Sequence, residues 1–239
     1  MTDPAPHRPC RTPIERVTAV VFILIVLGLL VAEVATNYEP VKLSALLVAL
    51  FWIPLLVLHE MGHALAAWAL GWDVGRIVLG MGRRLGRFTL AGAIVDVNLF
   101  PVEGFVVPVP RNLRFPRAKS AAIYFAGPGS EILVVLILIV LVGPDRFFSR
   151  SEELTIIAAQ SLAIAAGFGV FCNLVPHSGS VNGVAVANDG LGILLSFTLP
   201  DAYFAERIGE RFDPKDDTWK TGDSADADTG YQQDADWWK

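Results

Sequence analysis

Four runs of apolar residues, near 17–36, 43–70, 118–142 and 154–175, are each long enough to cross a hydrocarbon layer of about 30 Å, which takes about 20 residues of helix. Such runs leave little choice of architecture, because backbone polar groups in lipid must be satisfied within the segment itself. Composition agrees: 53% hydrophobic and 18% charged residues over 239 positions, with a mean hydropathy of +0.50, exclude an ordinary soluble domain. The first run follows Arg8, Arg11 and Arg16 and shows no convincing small-residue cleavage site, so it reads as a retained span rather than a signal peptide. Cys10 and Cys172 do not suggest a disulfide framework and read as free thiols.

The segment 71–117 is of another kind. It is rich in glycine, and apolar Val95, Val97 and Leu99 alternate with Asp96 and Asn98 as in strands. So many apolar side chains need a cover, and a bilayer surface supplies one. The expected fold is an α-helical membrane protein of about four transmembrane helices, with a small membrane-associated β-sheet between the second and third. Small residues recurring every four positions, Ala118, Ala122, Ala126 and Ser130 in the third span and Ala159, Ala163 and Gly167 in the fourth, are expected to mark close helix contacts.

Positive charge sets the orientation. Of fourteen Lys and Arg before position 200, eleven lie before the first span or between the second and third, which predicts cytosolic termini and a cytosolic 71–117 segment in a multi-pass protein of the cell membrane. The formal net charge of -5 arises mainly beyond position 200, where eleven acidic residues outnumber five basic ones. The expected organisation is a cytosolic segment over 1–16, a membrane-embedded core over 17–199 and a flexible acidic cytosolic tail over 200–239. Nothing in the charge pattern suggests nucleic-acid binding.

Chemistry concentrates in the second span, at His59-Glu60-Met61-Gly62-His63. Residues four apart on a helix sit roughly 40° apart around its axis, so both imidazoles can reach one metal ion, with Glu60 beside them. Exposed helices of soluble proteins carry this pattern without metal. Inside an apolar run, two His and a Glu are too expensive to be idle. Zinc would take the two nitrogens, acidify a bound water, and leave Glu60 to accept its proton. A third ligand is required, and Asp189, His177, Glu131, Asp96 and Glu103 are the candidates. Asp189 could also be no more than a helix N-cap.

With these residues in view, most of 43–195 resembles the site-2 protease family of intramembrane zinc metalloproteases. Besides HEMGH, FPVEGF at 100–105 resembles the family's proline-glycine turn, AGPGSE at 126–131 its Ala-Gly-Pro motif, and NLVP at 173–176 followed by Asp189-Gly190 its Asn-x-x-Pro and Asp-Gly motif. The resemblance implies His59, His63 and Asp189 as ligands of one Zn2+ per chain, Glu60 as general base, and Asn173 as a contact to the substrate. The chain departs from the pattern at Glu131, where Asn is usual, at Glu103, where glycine is common, and in the thirteen positions from Pro176 to Asp189. Glu131 is expected to support a ligand rather than bind the metal.

The expected function is hydrolysis of a peptide bond in or next to a membrane span of a substrate protein, within the lipid bilayer. An inactive scaffold or chaperone and a metal transporter are the alternatives. Because a helical substrate must unwind to be cut, its freed backbone is expected to add as a strand along 94–99, with Ile94, Val95, Asp96 and Val97 as substrate-binding positions.

Overall fold

The computed structural model describes residues 38–181, 184–215 and 217–220, with scattered positions between 25 and 36. The expected segment 1–16, most of the expected span near 17–36, and the stretch 221–239 lie outside the described residues.

Among the described residues, three helices are long and apolar enough to cross a membrane. Helix α1 (Leu43–Ala69) follows a 3-10 turn at Pro40–Lys42, α2 is Pro116–Val142 and α3 is Leu154–Leu174. At about 1.5 Å per residue, the 27-residue α1 and α2 exceed a 30 Å hydrocarbon core and the 21-residue α3 matches it. Pro116 opens α2, where its missing N–H costs no helix bond, whereas Pro54 and Pro128 lie inside α1 and α2.

The expected stripe of small residues in α2 makes contact over its second half only: Ala126 and Ser130 meet α1 at Gly62 and Leu58. A Cβ on Gly62 would lie 2.6 Å from the Ala126 carbonyl, so α1 and α2 approach backbone to backbone there. Ala118 and Ala122 are exposed; the buried stripe of α2 is Ser120, Ala121, Ile123, Gly127, Pro128 and Glu131. In α3 the exposed Gly167 meets nothing, and Ile157, Ser161, Ala165, Ala166 and Gly169 are turned inward. Alanine is at home facing lipid, so a four-residue repeat alone does not name the packing face.

Strands β1 (Asp73–Leu90) and β2 (Ala93–Val109) follow α1 and form an antiparallel hairpin about Ala91 and Gly92, both at positive φ as a two-residue turn of this hand demands. Both strands fold over on themselves. Residues 76–79 pair with 104–107 on one side and with 94–97 on the other, and 94–97 pair in turn with 86–89. The bend lies at Gly80, where φ is +84° and a Cβ would stand 2.7 Å from the Phe100 carbonyl oxygen. The expected open edge at 94–99 is thereby corrected: Ile94, Val95, Asp96 and Val97 form an interior strand bonded on both sides.

After α3 come a short hairpin, β3 (Ser178–Val181) and β4 (Val184–Ala187), then α4 (Asp189–Ser196), α5 (Asp201–Glu206), β5 (Arg211–Asp213) and β6 (Thr218–Lys220). The region expected to be a flexible tail is thus folded as far as Lys220. Phe204 is buried with Trp72, Val74, Ile77 and Val95 in the cluster that joins α1, α2 and the sheet. Phe212 is buried beneath Arg76, whose guanidinium lies 4.4 Å from the ring centroid, and the Trp219 ring covers Gly75. Arg207 donates to the Pro108 carbonyl, and Arg87 to Asp217 and to the Pro214 carbonyl. The acidic composition concealed a few aromatic anchors sufficient to hold this segment against the sheet.

Candidate metal centre

Helix α1 buries His59, Glu60 and His63, at 5%, 4% and 7% exposure, with the two imidazoles turned toward α2 and α4. The two imidazole Nε2 atoms lie 3.1 Å apart. Asp189 brings Oδ2 to 2.9 Å from His59 Nε2 and Oδ1 to 3.3 Å from His63 Nε2. Neighbouring ligands of a tetrahedral zinc, with bonds of about 2.0–2.1 Å, are separated by roughly 3.3 Å, and these spacings are close to it. Two ring nitrogens and a carboxylate converging on one point suit a cation. Helix α2 leaves room, because Gly127 has no side chain where a Cβ would come within 2.6 Å of His59 Nε2.

The far side of each ring is held differently. His63 Nδ1 donates to the Ile123 carbonyl at 2.6 Å, which leaves Nε2 with its lone pair for a ligand. His59 Nδ1 faces Glu131 Oε2 at 3.4 Å, and among the described residues neither atom has another partner. Glu131 therefore stands behind His59 and not among the converging atoms.

Asp189 reaches the site because of its neighbour. Asp189 is not the N-cap: Asn188 caps α4, its Oδ1 accepting from Leu191 N, and Asp189 is the first helical residue. The Asn188 amide shares its two hydrogens among the carbonyls of Cys172, Asn173 and Val175, 2.7–3.1 Å away, binding the start of α4 to the end of α3. The long spacer after Pro176 is the β3–β4 hairpin, closed at its base by Asn188 N donating to the His177 carbonyl. It leaves and returns to nearly the same place, so thirteen positions do not displace Asp189. Asn188 is the functional residue the sequence reading missed; an Asn ahead of Asp-Gly and an apolar stretch was its signal.

The other candidates fall elsewhere. Among the described residues, only His59, His63 and Asp189 form a group able to hold a metal ion. His177 is exposed and its Nδ1 lies 2.9 Å from the Asn188 amide. Glu103 is outside the group, and Asp96 is buried beneath Arg76 and Arg87, which donate to it at 2.6–2.9 Å. Burial alone would raise the Asp96 pKa, but the Arg87 and Arg76 hydrogen bonds outweigh it and hold the carboxyl below its usual range. Asn173 donates its amide to the Gly169 carbonyl one turn back. Glu60 faces the sheet: a Cβ on Gly104 would lie 2.8 Å from its Oε1, and among the described residues its buried Oε2 has no partner.

Residues 45–213 match the family model described as Peptidase family M50. No curated protein matches the chain.

Proposed function

The chain belongs to Peptidase family M50, the site-2 protease family of metallopeptidases, and from that premise we propose that it is an intramembrane zinc metalloprotease cutting a peptide bond in or next to a membrane span of a substrate protein. The observation that carries the finer reading is the convergence of His59, His63 and Asp189 within the helix bundle, with Glu60 buried beside them. The two imidazoles and the carboxylate would hold one Zn2+ and leave a fourth position open. Bound there, zinc would polarise the scissile carbonyl and acidify water. Glu60 takes the proton from the attacking water and passes it to the departing amine as the C–N bond breaks. Its unpartnered Oε2 supports this role, because a carboxylate oxygen tied up elsewhere would be a poor base.

The substrate segment must be extended to be cut, and unwound backbone in lipid needs new partners. The strand passing Glu60 is 104–107, paired on one side with 76–79 and, among the described residues, with nothing on the other. We assign substrate addition to that edge in place of 94–97. Asn173 retains one amide hydrogen beyond its bond to Gly169 and can donate it to the substrate carbonyl.

The sheet and both termini are read as cytosolic from the distribution of positive charge. The packing of Phe204 and Arg207 against the sheet side supports a shared compartment for the sheet and the 201–220 segment. An inactive scaffold has no use for Glu60, and a transporter needs a further polar station. The one other carboxylate in the described spans, Glu131, abuts His59 itself. The test is elemental analysis of the purified protein with cleavage of a single-pass substrate. One zinc per chain, lost together with cleavage in His63→Ala, is the expected result, and cleavage by a metal-free enzyme would refute it.

A further inference from the structure

Glu131 is a buried carboxylate in helix α2, 3% exposed, and the chemistry assigned above gives it no task. Its Oε2 lies 3.4 Å from His59 Nδ1, and these are two of the four buried side-chain polar atoms that lack a hydrogen-bond partner among the described residues. Two orphaned atoms of complementary kind facing each other amount to one unformed hydrogen bond. The carboxylate is confined to this place, since α3 approaches it through Gly169, where a Cβ would stand 2.7 Å from Glu131 Oε1.

We propose that Glu131 is a positioning residue for the metal site: it accepts the Nδ1–H of His59, fixes that imidazole with Nε2 free toward Asp189 and His63, and adds negative charge behind the ligand. The inference rests on the reading of His59, His63 and Asp189 as the zinc ligands. The two histidines are then supported unequally, His63 by a neutral backbone carbonyl and His59 by a carboxylate. A carboxylate behind an imidazole makes it the better donor and restricts its rotation, and loss of such a partner typically lowers metal affinity about 10–100-fold. The same geometry excludes Glu131 as a ligand of that ion, because it lies on the opposite nitrogen of the His59 ring.

The experiment is zinc competition against a chromophoric chelator, with thermal unfolding of zinc-loaded and chelator-stripped protein, on detergent-solubilised full chain. Glu131→Gln preserves the shape and removes the charge; Glu131→Asn shortens the side chain as well. In Glu131→Gln, zinc affinity should fall about 10–100-fold, and the loaded form should lose melting temperature while the stripped form loses none. Wild-type affinity in Glu131→Gln, or equal loss of stability in loaded and stripped forms, would overturn the proposal by showing a packing role. If the wild type holds zinc and His63→Ala holds it equally well, the ligand reading fails and this inference fails with it.

Discussion

The Asn188 side-chain amide donates to the Val175 carbonyl across 2.7 Å, and so joins the C-terminal end of α3 to the residue immediately before Asp189. Asp189, the third proposed ligand, is held in place by a side chain that does not itself enter the site. Asn188→Ala removes an N-cap, worth about 1 kcal/mol, together with the amide's hydrogen bonding to the C-terminal end of α3. Zinc affinity measured by chelator competition should fall about tenfold or more, beyond what the modest loss of stability accounts for. Unchanged affinity would mean that Asp189 is positioned by other means.

The interior place of 94–97 and the edge place of 104–107 predict opposite consequences for proline. Proline substituted singly at Phe105, Val106 and Val107 should, at the position whose N–H faces away from the sheet, reduce cleavage severalfold with zinc retained. Proline at Val95 or Val97 should instead destabilise the sheet, because those strands are bonded on both sides. Cleavage assays beside zinc content and thermal melts separate the two, and full activity across 105–107 would remove the strand-addition model.

Asp96 links the sheet to the C-terminal segment through Arg87, which also binds Asp217. Both carboxyls titrate below their usual range in the folded protein, Asp217 chiefly through its bond to Arg87. A carboxylate with a depressed folded pKa stabilises above its unfolded pKa of about 3.9, and that contribution is lost as pH falls through the folded value. Docking of 211–220, followed by Trp219 fluorescence against a Trp219→Phe reference, should therefore be constant from about pH 8 to 5 and weaken below about pH 4. Asp96→Asn should weaken docking at neutral pH by about 1–3 kcal/mol, the cost of losing hydrogen bonds to charged groups.

Phe204 ties α5 to Trp72, Val74 and Ile77. Phe204→Ala should destabilise the chain by about 3–5 kcal/mol, the usual cost of emptying a buried aromatic site, and should release the 201–220 segment to limited proteolysis. A neutral effect would mean that this segment does not brace the sheet.

The helices at 43–69, 116–142 and 154–174 were legible because run length is a local property, and the HEMGH pair because helical spacing alone brings residues four apart to one side. Asp189 lies 130 positions from His59, and no local pattern joins them; only the family resemblance did. The course of the sheet was hidden for a different reason. Alternation around Asp96 identifies a strand but not its neighbours, and the bend at Gly80 decides that 94–97 lies inside. The C-terminal segment was misread because its acidic residues dominate composition, while Phe204, Phe212 and Trp219 and the charge match between Arg87 and Asp217 determine its packing.

The central claim is that Glu60 performs the proton transfer while His59, His63 and Asp189 hold the metal. Glu60→Gln keeps the size of the side chain and all three proposed ligands but cannot accept the proton. The decisive measurement is zinc content together with cleavage of a single-pass substrate, for wild type and Glu60→Gln reconstituted in the same lipid. The account predicts one zinc per chain in both proteins, with cleavage lost by at least about 100-fold in the variant; cleavage at the wild-type rate by zinc-loaded Glu60→Gln would contradict it.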